Sequence, residues 1–364
     1  MRAYVEVNLK AIKNNIALVR GKTSAQILAV VKADAYGHGL VPVAKCAIES
    51  GASWLGVALL EEAITLRESG ISTPIISWLT PPSSDFKKAI ELDINLSIPS
   101  LKHLELIVAA GKAIGKRPRV HIEIDTGMGR GGLLGEWAEF LIAISGAEVD
   151  VVGFWSHFAR ADEPDEIANS NQLAEFESKL AELIGIGINP KYIHFANSAA
   201  TLTNSKSHKD IIRLGIAMYG LSPDVNSLGT STQLDLETAM TLKAELHLVK
   251  RVPAGSPIGY GATESTARDT KLAIVSMGYS DGIPRCTSNS TGVFVGGAKA
   301  PIIGRVSMDQ FVVDLGPDSN AQSGDIAEVF GGLGYSVDDW ASAAGTINYE
   351  IVTRIASRVP RIYV

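Results

Sequence analysis

The chain has little of what several function classes require. Only two cysteines occur in 364 residues, Cys46 and Cys286, far apart and without a CxxC pair. That argues for a reducing compartment and against disulfide staples or a structural zinc site. The seven histidines show no HExxH or similar ligand spacing, so no catalytic metal is expected. Lysine and arginine form no run and the formal net charge is −6, which gives nucleic-acid binding no electrostatic footprint. No apolar stretch is long enough to cross a membrane. Met1–Val7 alternates polar and apolar side chains instead of building a signal-peptide core. A cytoplasmic location is expected.

What is present is a regular alternation. With 364 residues, 46% of them hydrophobic, the chain exceeds one ordinary core, and two domains are expected. Residues 8–20 carry a helical stripe of Leu9, Ile12, Ile16 and Val19. Eight short apolar runs then follow at even intervals: Ile27–Val31, Trp54–Ala58, Pro74–Leu79, Ile94–Ile98, Val120–Ile124, Val149–Trp155, Tyr192–Ala196 and Ile211–Leu214. Helical patterns such as Leu60–Arg67, closed by Gly70, lie between them. This predicts an α/β fold, a (β/α)8 barrel of the TIM type over residues 1–225. An open doubly wound sheet is the alternative, because the pattern leaves strand order open. The missing G-x-G-x-x-G after the first run weakens it. Ser222–Thr232 reads as a linker, and residues 226–364 as a mainly antiparallel β domain with turns of glycine and proline. Its strand-like runs are Met240–Val252, Leu272–Met277, Gly292–Val295, Ala300–Ile303, Phe311–Leu315 and Ile326–Phe330. One helix is expected from Ser336, which forms a capping box with Asp339.

The stretch most suited to chemistry ends the first apolar run. Lys32 follows Ile27–Val31, at the carboxyl end of a strand buried on both faces, where α/β folds place active sites. Partial desolvation lowers an amine's pKa and suits it to forming a Schiff base. Taken alone, a lysine at a strand end reaches for solvent. Tyr36 stands four residues on, with Gly37 and Gly39 keeping the backbone open. A phenol and free N–H groups beside an amine suit a phosphorylated aldehyde.

Four further strand ends carry polar groups. In Arg119–Asp125, Val120, Ile122 and Ile124 would face the helices, leaving Arg119, His121, Glu123 and Asp125 inside. Ionisable residues inside a barrel are costly unless paired, so this strand marks a polar site. His157 follows the sixth run, and Asn197-Ser198 starts a helix after the seventh, as either an ordinary cap or an anion site. Arg213-Leu214-Gly215-Ile216 ends the eighth, and barrels commonly bind phosphate after their last two strands.

Val31–Gly39 closely resembles the pyridoxal-phosphate lysine motif of alanine racemases, and matches recur along the chain. They are Asp125–Arg130, Trp155–Ala159, His194–Ala200, Arg213–Gly220, Pro257–Ala262, Gly278–Arg285, Gly304–Gln310 and Thr346–Glu350. The resemblance implies a pyridoxal 5'-phosphate enzyme that interconverts L- and D-alanine, supplies D-alanine for peptidoglycan, and works as a homodimer with shared active sites. It implies that Lys32 and Tyr260 are the two bases, Tyr260 reaching in from the partner subunit; racemisation needs a base on each face of Cα. It implies that Arg130 contacts the cofactor's phenolic oxygen and the substrate carboxylate, which the Met308 amide also meets. His157 lies near the ring, and Arg213 bonds the pyridine nitrogen. Tyr36, Asn197, Ser198, Gly215, Ile216 and Tyr349 hold the cofactor. Tyr279, Arg285 and Arg305 line the access corridor, with Asp309 supporting. Because arginine keeps its proton, a ring nitrogen facing Arg213 stays unprotonated, which favours racemisation over transamination.

Many members carry a carbamylated lysine seven residues before the signature arginine. That position is Glu123 here, and its carboxylate is expected to orient Arg130, with pairing to Arg119 or His121 as the alternative. The rival functions are a racemase of serine, lysine or another amino acid, a carrier of pyridoxal phosphate, and a fold-related decarboxylase.

Overall fold

The structure, a computed structural model, describes residues 1–364. After a first strand, β1 (Ala3–Val7), the chain builds a closed barrel of eight parallel strands. These are β2 (Gln26–Val30), β3 (Trp54–Val57), β4 (Ile75–Ser77), β5 (Ile94–Ile98), β6 (Arg119–Glu123), β7 (Asp150–Trp155), β8 (Tyr192–His194) and β9 (Ile211–Leu214). Each pairs with the next, and β9 closes on β2 with Ile27 opposite Ile212. All eight runs read from the sequence are barrel strands, which rules out the open sheet. Their near-continuous apolar character follows from burial on both faces, lumen and helix layer.

Local signals set the intervening helices. Asp85 Oδ1 accepts from the Lys88 amide (3.0 Å) at the start of Phe86–Glu91. Ser100 Oγ accepts from the His103 amide (3.3 Å) at the start of Leu101–Ile114, and Gly115, at φ 65°, closes that helix. The barrel is regular except between β6 and β7. There Val120 faces Val151 while His121 faces Gly153, one residue out of step. Gly153 leaves space for the His121 ring; a side chain there would collide with it.

Nine further strands build the second unit: β10 (Met240–Val252), β11 (Pro257–Ile258), β12 (Glu264–Ser265), β13 (Thr270–Val275), β14 (Gly292–Val295), β15 (Ala298–Pro301), β16 (Phe311–Asp314), β17 (Ile326–Phe330) and β18 (Arg361–Tyr363), with β1 joining them. The main sheet runs β15-β14-β17-β10-β1-β18, and β13 pairs with β10 and β16. Its pairings are antiparallel except β1 with β18. The capping box predicted at Ser336 is formed: Ser336 Oγ accepts from the Asp339 amide (3.0 Å) and Asp339 Oδ2 from the Ser336 amide (2.8 Å). The helix Val337–Ala344 that it starts buries Trp340, whose Nε1 donates to Val329 O (2.7 Å).

The division of the chain differs from a cut at residue 225. Met1–Ala11, Tyr36–Gly39 and Thr238–Val364 form one compact unit; Ile12–Ala35 and Leu40–Glu237 form the other. The first strand goes with the sheet because its burial alternates, with Ala3, Val5 and Val7 inside, as a sheet with one covered face requires. Tyr36–Gly39 goes there because Arg361 Nε donates to Gly37 O (2.9 Å). Ser222–Thr232 is no loose tether: Ser222 Oγ donates to Gly229 O (2.7 Å) and Asp224 Oδ1 accepts from the Asn226 and Ser227 amides.

One ion cluster secures the loops after β13. Asp281 is fully buried and accepts from Arg2 Nη2 (2.5 Å), Arg358 Nε (2.6 Å) and the Gly278 amide (2.9 Å). Arg358 also reaches Asp309 (2.5 Å). Burial alone would raise the Asp281 carboxyl; the hydrogen bonds from Arg2, Arg358 and Gly278 outweigh it and hold it at about 2. A folded-state value below the unfolded one means stability present above about pH 4 and lost as pH falls toward 2. Asp281→Asn should lower the thermal midpoint at pH 7 by the equivalent of about 2 kcal/mol, discounted for half-exposed arginines. The difference should shrink as the pH approaches 2. Calorimetry across pH checks this, and a difference independent of pH would refute it.

Candidate active site

Lys32 lies two residues beyond the end of β2, after Val31, and the backbone after it is unusual. Ala33, Asp34, Ala35 and Tyr36 all have φ of 53–54°, a left-handed turn without glycine. The Ala33 amide donates to Glu62 Oε1 (2.6 Å) and the Leu40 amide to Asp34 Oδ1 (2.8 Å). Lys32, Trp78, Glu123, Arg130 and Trp155 line a cavity of about 640 Å³ at the barrel mouth. Burial depresses the Lys32 pKa, and the positive charge of Arg130 depresses it further, against the opposing charge of Glu62. The amine is thereby biased toward its neutral, nucleophilic form.

Arg130 is presented by a loop built on Asp125. Its carboxylate accepts from the amides of Gly127 (2.9 Å), Met128 (2.9 Å) and Gly129 (3.0 Å), and Leu133 returns to β6 through the Glu123 carbonyl (2.9 Å). Among the four residues expected inside the barrel, Arg119 is exposed, at the strand's amino end, and His121, Glu123 and Asp125 are buried. The pairing of Glu123 with Arg130 is not formed. Glu123 accepts from Ser97 Oγ (3.3 Å), which in turn accepts from Trp155 Nε1 (3.0 Å). Gly131 lies over its carboxylate, while the Arg130 guanidinium stays at the surface. The two act on each other through space: burial pushes the Glu123 carboxyl up to about 7, against Ser97 and the charges of Arg130 and Arg213. Neither Arg119 nor His121 pairs with it.

Arg213 is the most tightly held group of the site. Its Nη2 donates to the carbonyls of Ser156 (2.8 Å) and Phe195 (3.0 Å), and its Nη1 to that of His194 (3.1 Å). It also meets His194 Nδ1 (3.2 Å) and His157 Nδ1 (3.1 Å), and lies 5.1 Å from the Trp155 ring centre. A guanidinium only donates, so both Nδ1 atoms accept and both rings carry their proton on Nε2. His194 Nε2 then donates to His121 Nδ1 (2.9 Å). Burial first, then neighbouring charge, holds His157 and His194 well below their ordinary range, and burial pushes His121 down to about 3. All three are neutral imidazoles. Burial also brings Arg213 down to about 9, opposed by Glu123, and it remains a cation at neutral pH.

The ends of β8 and β9 converge as the sequence implies. Asn197 Oδ1 caps Ser198–Thr203 by accepting from the Ala200 amide (3.0 Å). Ser198 Oγ accepts from the amides of Gly215 (2.9 Å) and Ala217 (3.4 Å), so the hydroxyl and the Gly215–Ile216 turn form one cradle. Two groups escaped the sequence reading. Gln172 ties Thr126 Oγ1 (3.2 Å), His157 O (3.1 Å) and the Ala159 amide (2.9 Å) together from the helix Ile167–Gly185. His194 falls within a family match, and nothing in its spacing marks it as a partner of Arg213.

The second unit gathers the remaining candidates. Tyr260, 71% exposed, sits on a turn with Gly259 and Gly261 at positive φ, and the Arg305 guanidinium lies against Gly261. The Tyr279 amide donates to Ser307 O (3.0 Å) and the Ser280 amide to Met308 O (2.9 Å). Those bonds bring the Tyr279 loop beside Arg305, Met308 and Asp309. Tyr279, Met308 and Arg285 are exposed. The buried Tyr36 ring, whose phenol burial pushes above its usual range, lies 6.2 Å from that of Tyr349. The raised Glu123 value has a stability consequence. A carboxyl whose folded pKa lies near 7 penalises the fold increasingly as pH rises from about 4 through 7. Glu123→Gln should therefore gain stability over the parent between pH 5.5 and 8, by about 2 kcal/mol. Thermal midpoints at the two pH values measure it; a gain equal at both would show that the carboxyl titrates normally.

Two family descriptions match the chain: "Alanine racemase, N-terminal domain" over residues 7–223 and "Alanine racemase, C-terminal domain" over residues 239–363. The alanine racemase of Salinispora tropica is 46% identical, the match covering 100% of this chain and 98% of that one. The crystal structure of alanine racemase from D-cycloserine-producing Streptomyces lavendulae superimposes with a TM-score of 0.98 at 45% identity, covering 100% of this chain and 97% of that one. The enzyme of Streptomyces coelicolor gives 0.96 at 43% identity, with coverages of 100% and 98%. On these matches, and on a barrel whose strand ends bring Lys32, Arg130 and Arg213 into one site, the chain belongs to the alanine racemase family of isomerases.

Proposed function

We propose that the chain interconverts L- and D-alanine with pyridoxal phosphate, using Lys32 and Tyr260 of the partner subunit as opposed bases in a homodimer. The product D-alanine would serve peptidoglycan synthesis. The observation that carries this reading is the Arg213 clamp, a buried cation whose protein partners are carbonyls and neutral imidazoles. Such a group suits an unprotonated pyridine nitrogen, because it donates and keeps its proton at neutral pH. The other residues fit the cofactor as well. Lys32 offers a desolvated amine, and Ser198 with the Gly215–Ile216 turn offers a hydroxyl and amides to a phosphate.

Held there, pyridoxal phosphate would supply an electron sink that acidifies the proton on the substrate's Cα. The chain's own groups then divide the work. Arg130 and the Met308 amide bind the substrate carboxylate, and Tyr36 and Tyr349 help hold the phosphate. The depressed pKa of Lys32 lets its amine accept a proton from one face of Cα and return it there. Tyr260 serves the other face. A phenol works as a base only where a cation or donor stabilises its charged form, and Arg305 lies beside its turn. Tyr279 and Arg285 line the approach.

Incubated with L-alanine in deuterated water, the purified protein should yield D-alanine carrying deuterium at Cα; labelled product without inversion would refute racemisation. Serine and lysine in the same assay test the neighbouring substrates. Lys32→Ala should abolish interconversion together with the visible absorbance of the protein-bound cofactor. Tyr260→Phe should keep that absorbance and slow interconversion by about 10²–10⁴-fold, the size of a positioned acid–base group. Unchanged rates in both directions would remove Tyr260 from the mechanism.

A further inference from the structure

Glu62 stands in the first turn of the helix Leu60–Glu68, and its carboxylate bonds two separate strand ends. Oε2 accepts from the amides of Ala58 and Leu59, both at 3.0 Å, where the chain leaves β3 for the helix. Oε1 accepts from the Ala33 amide at 2.6 Å, one residue beyond Lys32 at the end of β2. The first pair of bonds is ordinary helix capping, a carboxylate satisfying leading amides at the positive end of the dipole. The third is not. It reaches across to the turn that carries the reactive amine.

That turn needs support. Four consecutive residues other than glycine in the left-handed region are each strained, and such a backbone persists only where its surroundings hold it. A charge-assisted bond to its first amide holds it where it starts. We propose that Glu62 is a positioning residue for Lys32: by fixing the Ala33 amide it sets the left-handed turn and hence the direction in which the amine leaves β2. This rests on Lys32 being the reactive amine. Glu62 makes no ion pair with Lys32, so its bond to the backbone is distinct from its charge. The charge itself favours the protonated amine, against burial and Arg130.

The test uses the full-length holoenzyme with Glu62→Asp and Glu62→Gln. Aspartate, one methylene shorter, still reaches the amides of its own helix and falls short of Ala33. Hydrogen–deuterium exchange of the peptide spanning residues 31–36 should rise about tenfold in Glu62→Asp while the thermal midpoint stays near the parent's, because a charge-assisted bond is lost locally. Its kcat for alanine should fall by about 10–100-fold with KM little changed, as expected for a misplaced reacting group. In Glu62→Gln the amine loses a neighbouring anion, so the acid limb of the kcat profile should move to lower pH. Parental exchange and turnover in Glu62→Asp would overturn the proposal. So would exchange that rises throughout the chain in step with a lowered midpoint, which marks a purely structural brace. Lys32→Ala with full activity would defeat the assignment of Lys32 instead, and the exchange at residues 31–36 would still judge the turn.

Discussion

A guanidinium inside a barrel is tolerated only if its donors are satisfied, and the site depends on how Arg213 meets that condition. A carboxylate partner would satisfy the donors and also neutralise the charge. Here the partners are three carbonyls and two imidazoles, so the hydrogen bonds are met and the charge remains. Every neighbour is set by this. His157 and His194 must present bare Nδ1 atoms, His194 must then donate to His121, and Gly153 must leave room for the His121 ring. The polar chain replaces the branched aliphatic layer that normally fills such barrels.

Excess positive charge at the barrel mouth has a second effect. Burial and Arg130 act together on Lys32 to favour the neutral amine, and the Ser97 hydrogen bond, with the charges of Arg130 and Arg213, limits how far burial raises the Glu123 carboxyl. Glu62 opposes the trend at Lys32 from the far side of the turn. The Lys32 amine is therefore held by backbone geometry and tuned by two charged side chains, Arg130 and Glu62, neither of which forms an ion pair with it. That separation lets position and protonation be altered independently.

Much of this was legible in the sequence because barrel strands are read by apolar continuity and their ends by polar residues. The eight runs and the polar strand ends that carry Lys32, Ser198 and Arg213 follow from such patterns, whereas the parts assigned to Arg213 and to Gly215–Ile216 rest on the family resemblance. What escaped has physical reasons. The first strand joined the β domain, since alternation of Ala3, Val5 and Val7 describes a half-covered face without naming the sheet. Glu123 was expected against Arg130 from a count of seven residues, which fixes neither reach nor solvation. Its carboxyl stays down with Ser97 while the arginine remains in water. Glu62 and Gln172 were invisible because each works through backbone amides far away in the chain, a pairing that no local pattern encodes.

Everything at this end of the barrel turns on Arg213 staying charged among neutral imidazoles. Nitrogen-15 NMR of the holoenzyme labelled at histidine tests it most directly, because protonated and bare ring nitrogens resonate apart. The clamp predicts that His157 and His194 each carry one proton, on Nε2, with Nδ1 bare, unchanged between about pH 6 and 8. A proton on either Nδ1 within that range would mean that Arg213 is held some other way.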